Sequence, residues 1–174
     1  MNLTWQPASE RPDLLADTVR KAIESDPALA AVVEVAEIDP AHSDTAVLVE
    51  QYSDVTLEDC GNCVLVSGKR GGEVSLAACL VLGATRADVN GVVRRHLNVR
   101  KASFAPLAEV EQATGMEYGG ITPIGLPPEW QLLISEGVAA HPRVVIGSGV
   151  RRSKLRLPGA ALTGTVLPGL ALEI

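Results

Sequence analysis

Thr114-Gly115-Met116-Glu117-Tyr118-Gly119-Gly120-Ile121-Thr122-Pro123-Ile124-Gly125-Leu126-Pro127-Pro128 decides how the rest of the chain is read. It holds four glycines and three prolines in fifteen residues. A run of that kind can be neither a helix interior nor a regular central strand. Glycine opens backbone angles closed to other residues and lets a ligand approach the main chain, while proline stiffens the loop that glycine bends. Two uses fit these residues. One is punctuation between two strands. The other is a rigid loop whose N–H groups grip a carbonyl, carboxylate or phosphate oxygen.

Outward from the loop, the chain alternates short apolar stretches with turn signals. Pro12 opens a helix to about Glu24, with Leu15, Val19, Ala22 and Ile23 on one face, and Asp26-Pro27 ends it. Val32 to Ile38 alternates as a half-buried strand. Ser43 and Asp44 are positioned to cap a short helix through Tyr52. Cys63–Ser67 and Val74–Leu82 form a hairpin around Gly68-Lys69-Arg70-Gly71-Gly72. The pattern predicts a helix from Arg86 to Leu97 capped by Thr85, a short strand at Val99–Ser103, and a helix at Pro106–Ala113. Strands follow near 130–135, 144–148 and 154–157, and a short helix over Gly159–Leu167. Helices and strands interleave without a regular βαβ beat, so the expected class is α+β with a mixed sheet. Residues 1–11 read as a loose arm. The expected organisation is an N-terminal arm and helix over 1–27 and one globular domain over 28–174.

Composition narrows the function. The chain has 174 residues, 47% hydrophobic but only 3% aromatic, so its core is built from Val, Leu, Ala and Ile. No apolar run reaches the roughly 18 residues of a membrane span, and the N-terminus lacks the basic-then-apolar order of a secretion signal. A cytoplasmic protein is expected, with no membrane partner. Residues 1–59 carry thirteen Asp/Glu against three Lys/Arg, and residues 60–174 eight against twelve. A basic half inside a chain of net charge −6 fits either a solvated surface or contact with a polyanion. The net acidity opposes tight non-specific binding to DNA.

Several motifs carry possible chemistry. Cys60-Gly61-Asn62-Cys63 is a C-x-x-C, but a strand follows it where a redox motif needs a helix. Only Cys79 remains as a further thiol, and His42, His96 and His141 are scattered, so no metal or cofactor is expected. Buried apolar thiols explain these cysteines as well. Arg151-Arg152-Ser153-Lys154 with Arg156 is the densest basic cluster. Phe104 is the lone Phe and the Trp and Tyr residues are dispersed, so no stacking platform is evident. A Gly-x-Ser-x-Gly elbow and phosphate-binding glycine motifs are absent.

The stretch TG…GGITPIGLP resembles the signature loop of the YbaK/aminoacyl-tRNA synthetase-associated domain, the family that includes prolyl-tRNA synthetase editing domains. Its Gly-x-x-x-Pro is met by Gly119 and Pro123. A second block, Val144-Val145-Ile146-Gly147-Ser148-Gly149 followed by Lys154-Leu155-Arg156-Leu157-Pro158, resembles that family's closing strand, glycine turn and strand. The likeness covers roughly residues 28 to 170. It implies a mixed, partly barrel-like sheet with surrounding helices, and deacylation of a mischarged small amino acid on tRNA. The implied partner is a tRNA acceptor end, bound by a monomer or homodimer. It implies that Gly119 and Gly120 hold the ester carbonyl with Ile121, Thr122 and Pro123 around them. Gly147, Ser148, Gly149 and His141 shape the pocket, and Arg151, Arg152 and Lys154 meet tRNA phosphates. Two departures stand out. The family's lysine before an apolar strand falls here on Asn62, with Gly61 the alternative register. The family's aspartate after the following strand falls on Ser135 or Glu136. The lost lysine leaves open a non-catalytic binding module of the same fold, and a lysine entering the pocket from elsewhere, such as Lys154, separates the two.

Overall fold

The computed structural model describes residues 1–174. Its centre is a long hairpin. β3 (Gly61–Arg70) and β4 (Glu73–Leu82) pair over their full length around Gly71-Gly72, both at positive φ as a tight hairpin turn demands. Valine and leucine on both strands supply residues suited to a pleated, half-buried surface. On this hairpin a five-stranded mixed sheet grows in the order β10-β7-β4-β3-β6. β6 (Lys101–Phe104) is antiparallel to β3, whereas β7 (Gln131–Ile134) and β10 (Thr165–Val166) run parallel to their neighbours.

A second, antiparallel sheet has the order β1-β2-β9-β8, from β1 (Gln6–Pro7), β2 (Glu34–Glu37), β8 (Val144–Gly147) and β9 (Ser153–Leu157). β5 (Thr85–Ala87) pairs with β11 (Ala171–Glu173) as a small third sheet. The two large sheets meet at one parallel bridge, Cys60 to Val145. They do not close into a barrel. Helices α1 (Asp17–Glu24), α2 (Pro27–Ala30), α3 (Thr45–Gln51), α4 (Arg94–His96), α5 (Leu107–Thr114) and α6 (Glu136–Ala139) cover them. The fold is α+β with mixed sheets, and no helix is long and apolar enough to cross a membrane.

The largest core cluster lies where α1 meets both sheets, with Val19, Ile23, Leu80, Ile134, Ile146 and Leu155 among its members. The N-terminal residues are tied down. Gln6 and Pro7 pair with β2, the Leu3 N–H donates to Asp54, and Leu14, Leu15 and Ala16 join that core.

Residues 1–11, expected as a loose arm, are thus ordered, and the helix expected from Pro12 begins only at Asp17, after a 3-10 turn over Pro12–Leu14. Two further elements differ from the sequence expectation. The helix expected over Arg86–Leu97 starts later. Thr85 donates its hydroxyl back to the Leu82 carbonyl at 2.7 Å, and its segment is strand β5. Asp88 provides the cap instead, accepting from the N–H groups of Gly91 and Val92, and a π turn over Val89–Val93 leads into α4. The strand partner that recruits Thr85–Ala87 comes from the far C-terminus, beyond reach of a local pattern. The helix expected over Gly159–Leu167 is one 3-10 turn, Gly159–Ala161, followed by β10. Thr165 and Val166 are β-branched and find an open sheet edge at β7.

Candidate functional site

The seam between the two sheets leaves an opening. Hydrogen bonds from Gly83 to the Cys60 carbonyl, Ala105 to Leu65 and Arg100 to Lys69 fix the ladder's alternation. Even-numbered residues of β3 face β4 and odd-numbered ones face away. β6 pairs along that outer edge only from Val66 onward, and β8 bridges it only at Cys60. The main-chain edge around Cys63 therefore has no strand partner. It forms one wall of a cavity of about 420 Å3, within the roughly 300–1,000 Å3 range of small-molecule sites.

The glycine loop forms the opposite wall. Gly119 sits at φ +84°, and a Cβ there would lie 2.6 Å from Arg151 Nη1 and 2.7 Å from Ser43 Oγ. Its N–H and that of Ile121 make no hydrogen bond within the chain, and both residues line the cavity. Gly120 faces the other way. Its N–H donates to the Glu117 carbonyl at 2.9 Å, and a Cβ would press on the Val150 backbone at 2.6 Å. Gly149 N–H donates to the Gly120 carbonyl at 2.7 Å, and Glu117 N–H to the Gly149 carbonyl at 2.8 Å. The two glycine-rich blocks of the sequence are thus packed against each other. Gly147 completes the fit, since a Cβ there would meet the carbonyls of Gly120 and Ile121.

Lys154 enters this cavity from β9. It is only 7% exposed, and its ammonium donates to the Gly119 carbonyl at 3.3 Å. That is its one hydrogen bond in the chain, so two of its three donors are free. Burial drives its pKa down from 10.5 to about 8, opposed by Cys60 and the Asp44 carboxylate and assisted by Arg151. The cysteines are the reverse case. Burial pushes the Cys60 thiol up to about 11 and the Cys79 thiol up to about 12, and raises Cys63 as well. All three are free and favour the protonated thiol, a poor nucleophile and poor metal ligand.

The remaining sequence candidates divide between cavity and scaffold. Asn62 lines the cavity, and its side-chain oxygen accepts from the Thr45 hydroxyl at 2.8 Å. Thr122 is fully buried with an unpartnered hydroxyl outside the cavity, and Pro123 is buried beside it. Ser135 caps α6, accepting from Val138 N–H. His141 also lies outside. Its Nδ1 accepts from Arg143 N–H and its Nε2 lies 3.3 Å from Asp59. Burial alone would raise the Asp59 carboxyl, but Thr56 and His141 outweigh it and hold it below the usual range. Ser148 bonds the carbonyls of Val150 and Ser153, and the Cβ side of Gly149 packs on Ala16. Arg151 donates to the Tyr118 and Pro40 carbonyls, and Arg152 to that of Asp13.

Among the lining residues with no counterpart in the sequence candidates are Ser43, Asp44, Thr45, Phe104 and Tyr118. Ser43 and Asp44 read as caps for α3, yet neither side chain makes a capping bond. Ser43 is 2% exposed with its hydroxyl unpartnered, lying beside Gly119. No group of three or more His, Cys, Asp or Glu side chains is arranged to hold a metal.

This arrangement can bind a polar, partly anionic group. Free N–H groups and an ammonium stand on one side, a carboxylate at the rim, and an apolar floor of Leu48, Leu65, Val110 and Ile146 lies beneath. The same geometry matches known folds. A crystal structure of the hypothetical protein APE2540 superposes with a TM-score of 0.76 at 19% identity, covering 90% of this chain and 100% of that one. A proposed trans-editing enzyme for prolyl tRNA synthetase gives 0.74 at 22% identity, covering 91% and 97%. No curated protein sequence matches the chain significantly. Residues 40–164 match the family described as the aminoacyl-tRNA editing domain, whose partner is tRNA. With that match spanning well over half of its length, the chain belongs to the aminoacyl-tRNA editing domain family.

Proposed function

We propose that the protein is an aminoacyl-tRNA deacylase that hydrolyses the ester of a mischarged small amino acid. The observation that supports this most is Lys154. The cavity lacks a lysine at the start of β3, but an ammonium reaches it from β9 at 3.3 Å from the glycine loop. In this reading the ester carbonyl lies against the free N–H groups of Gly119 and Ile121. Negative charge that develops on its oxygen as water attacks is held by those donors and by the Lys154 ammonium, a pre-arranged set in a partly dry site. Asp44, the acidic residue of the lining, faces the substrate's α-ammonium. Asn62 and Ser43 orient the aminoacyl group through the free amide NH2 of Asn62, whose oxygen is held by Thr45, and the Ser43 hydroxyl. No side-chain general base is needed at the carbonyl if the substrate's neighbouring ribose hydroxyl guides the water, so positioning carries much of the rate.

The cavity floor is apolar and small, which favours compact amino acids. A deacylation panel over Ala-, Cys-, Ser- and Pro-charged tRNAs tests the proposal. Accelerated release from at least one of them, beyond buffer, supports it. Binding without release from any of them supports a non-catalytic module instead.

A further inference from the structure

Phe104 and Tyr118 stand fourteen positions apart in sequence, yet both line the same cavity. Phe104 ends β6 and is 66% exposed; Tyr118 opens the glycine loop and is 57% exposed. Leu107, at the start of α5, lies between them in sequence, lines the same cavity and is also exposed. The chain has only one Phe, two Tyr and two Trp. Leaving two of these five exposed at one cavity forfeits burial that the core could have used. Neither is held there by a side-chain hydrogen bond, while the Tyr118 backbone is fixed by Arg151. An aromatic face kept in water beside a polar cavity is the device that proteins use to stack a nucleobase.

The geometry points to a nucleobase site at the cavity mouth, in which Phe104 and Tyr118 stack the terminal base of the RNA whose ester lies below. This rests on the deacylase reading for the identity of the ligand. It extends that reading by naming how the nucleoside is held. The base sits on the rim, the ribose spans it, and the aminoacyl group descends toward Lys154 and Gly119. Stacking needs only a π face, so the site tolerates exchange of the base and loses affinity when the base is removed.

The test uses calorimetry on the full chain with two non-hydrolysable probes. One is the 3′-alanylamide of 3′-amino-3′-deoxyadenosine, and the other is the same amide on a ribose without a base. The wild type should bind the adenosine probe at least about tenfold more tightly. Phe104→Ala with Tyr118→Ala should bind both probes equally, and Phe104→Tyr should keep the preference. Both positions are exposed, so the melting temperature should hold. Equal binding of the two probes by the wild type overturns the site, as does a preference that survives in the double variant. So does failure to bind either probe. A wild-type dimer that the double variant dissolves also overturns it, since the rim would then cover a second protein. Turnover of charged tRNA is scored separately. Base-dependent binding without turnover sinks the deacylase and keeps this site, and turnover without base preference does the reverse.

Discussion

The Nζ atom of Lys154 lies 3.3 Å from the carbonyl oxygen of Gly119, joining the buried strand β9 to the glycine loop inside one cavity. A lysine buried without a carboxylate partner in contact is costly, and burial has driven its pKa from 10.5 to about 8. That fall corresponds to roughly 3 kcal/mol of stability given up at neutral pH. An apolar residue at this position would avoid that cost.

Lys154→Met should therefore split stability from activity. The variant should be more stable than the wild type at pH 7, by up to about 3 kcal/mol in denaturant melts. Its deacylation rate should fall about 100- to 1,000-fold, the usual loss for one oxyanion donor. A drop in both would mark Lys154 as a structural residue.

The pH dependence has a defined sign. As an ammonium donor, Lys154 supports activity below about 8, and kcat/KM should fall as pH rises through that value once spontaneous ester hydrolysis is subtracted. Stability moves the opposite way. The folded pKa is below the unfolded one, so the burial cost is full below about 8 and is relieved between about 8 and 10.5. The wild-type-minus-Lys154→Met difference in unfolding free energy should shrink across that window. A difference that does not change with pH would contradict the assignment.

Neighbouring glycines should respond differently. Gly119→Ala places a methyl at positive φ against Arg151 and Ser43, whose side chains can shift. It should cost about 1–2 kcal/mol of stability and weaken binding of the adenosine probe. Gly120→Ala drives a methyl into the Val150 backbone, which cannot shift as a side chain does, and should cost more than about 2 kcal/mol. Equal effects in melts and in calorimetry would remove the distinction between wall and scaffold.

Cations for RNA should be sought away from Arg151 and Arg152, which hold carbonyls of other loops. Lys69 and Lys101 are directly opposed across β3 and β6, and neither they nor Arg95 and Arg100 join an ion pair. Like charges facing each other destabilise a ladder, so Lys101→Ala should raise stability by a few tenths of a kcal/mol. The same change should reduce the salt dependence of tRNA binding by about 0.7–0.9 in log–log slope if one phosphate contact is lost. An unaltered slope would clear this face of tRNA.

Much of the fold was legible because its signals are local. The glycine pair at 71–72 marked the central hairpin, and Pro123, Gly119 and Gly147 marked the two blocks that pack together. What stayed hidden depends on contacts between distant residues. β5 exists because the C-terminal Ala171–Glu173 pairs with it, and no periodicity in 85–87 announces that. Phe104 and Tyr118 read as dispersed along the chain, and only the fold makes them neighbours of one cavity. Lys154 stood in the densest basic cluster, read both as a phosphate contact and as a lysine that could enter the pocket, and only the fold decides between the two. Within β9 its side chain enters the cavity, while Arg152, just before the strand, donates to the Asp13 carbonyl. Asn62 sat where a lysine was expected, and the replacement charge arrived from ninety-two positions away.

The most direct test is single-turnover deacylation of Ala-, Cys-, Ser- and Pro-tRNA by the wild type and by Lys154→Met, at pH 7 and fixed salt. The account predicts that the wild type releases at least one amino acid well above buffer and that Lys154→Met, though folded and more stable, releases it at least about 100-fold more slowly. Equal release by the two proteins, or none by the wild type from any of the four, would contradict it.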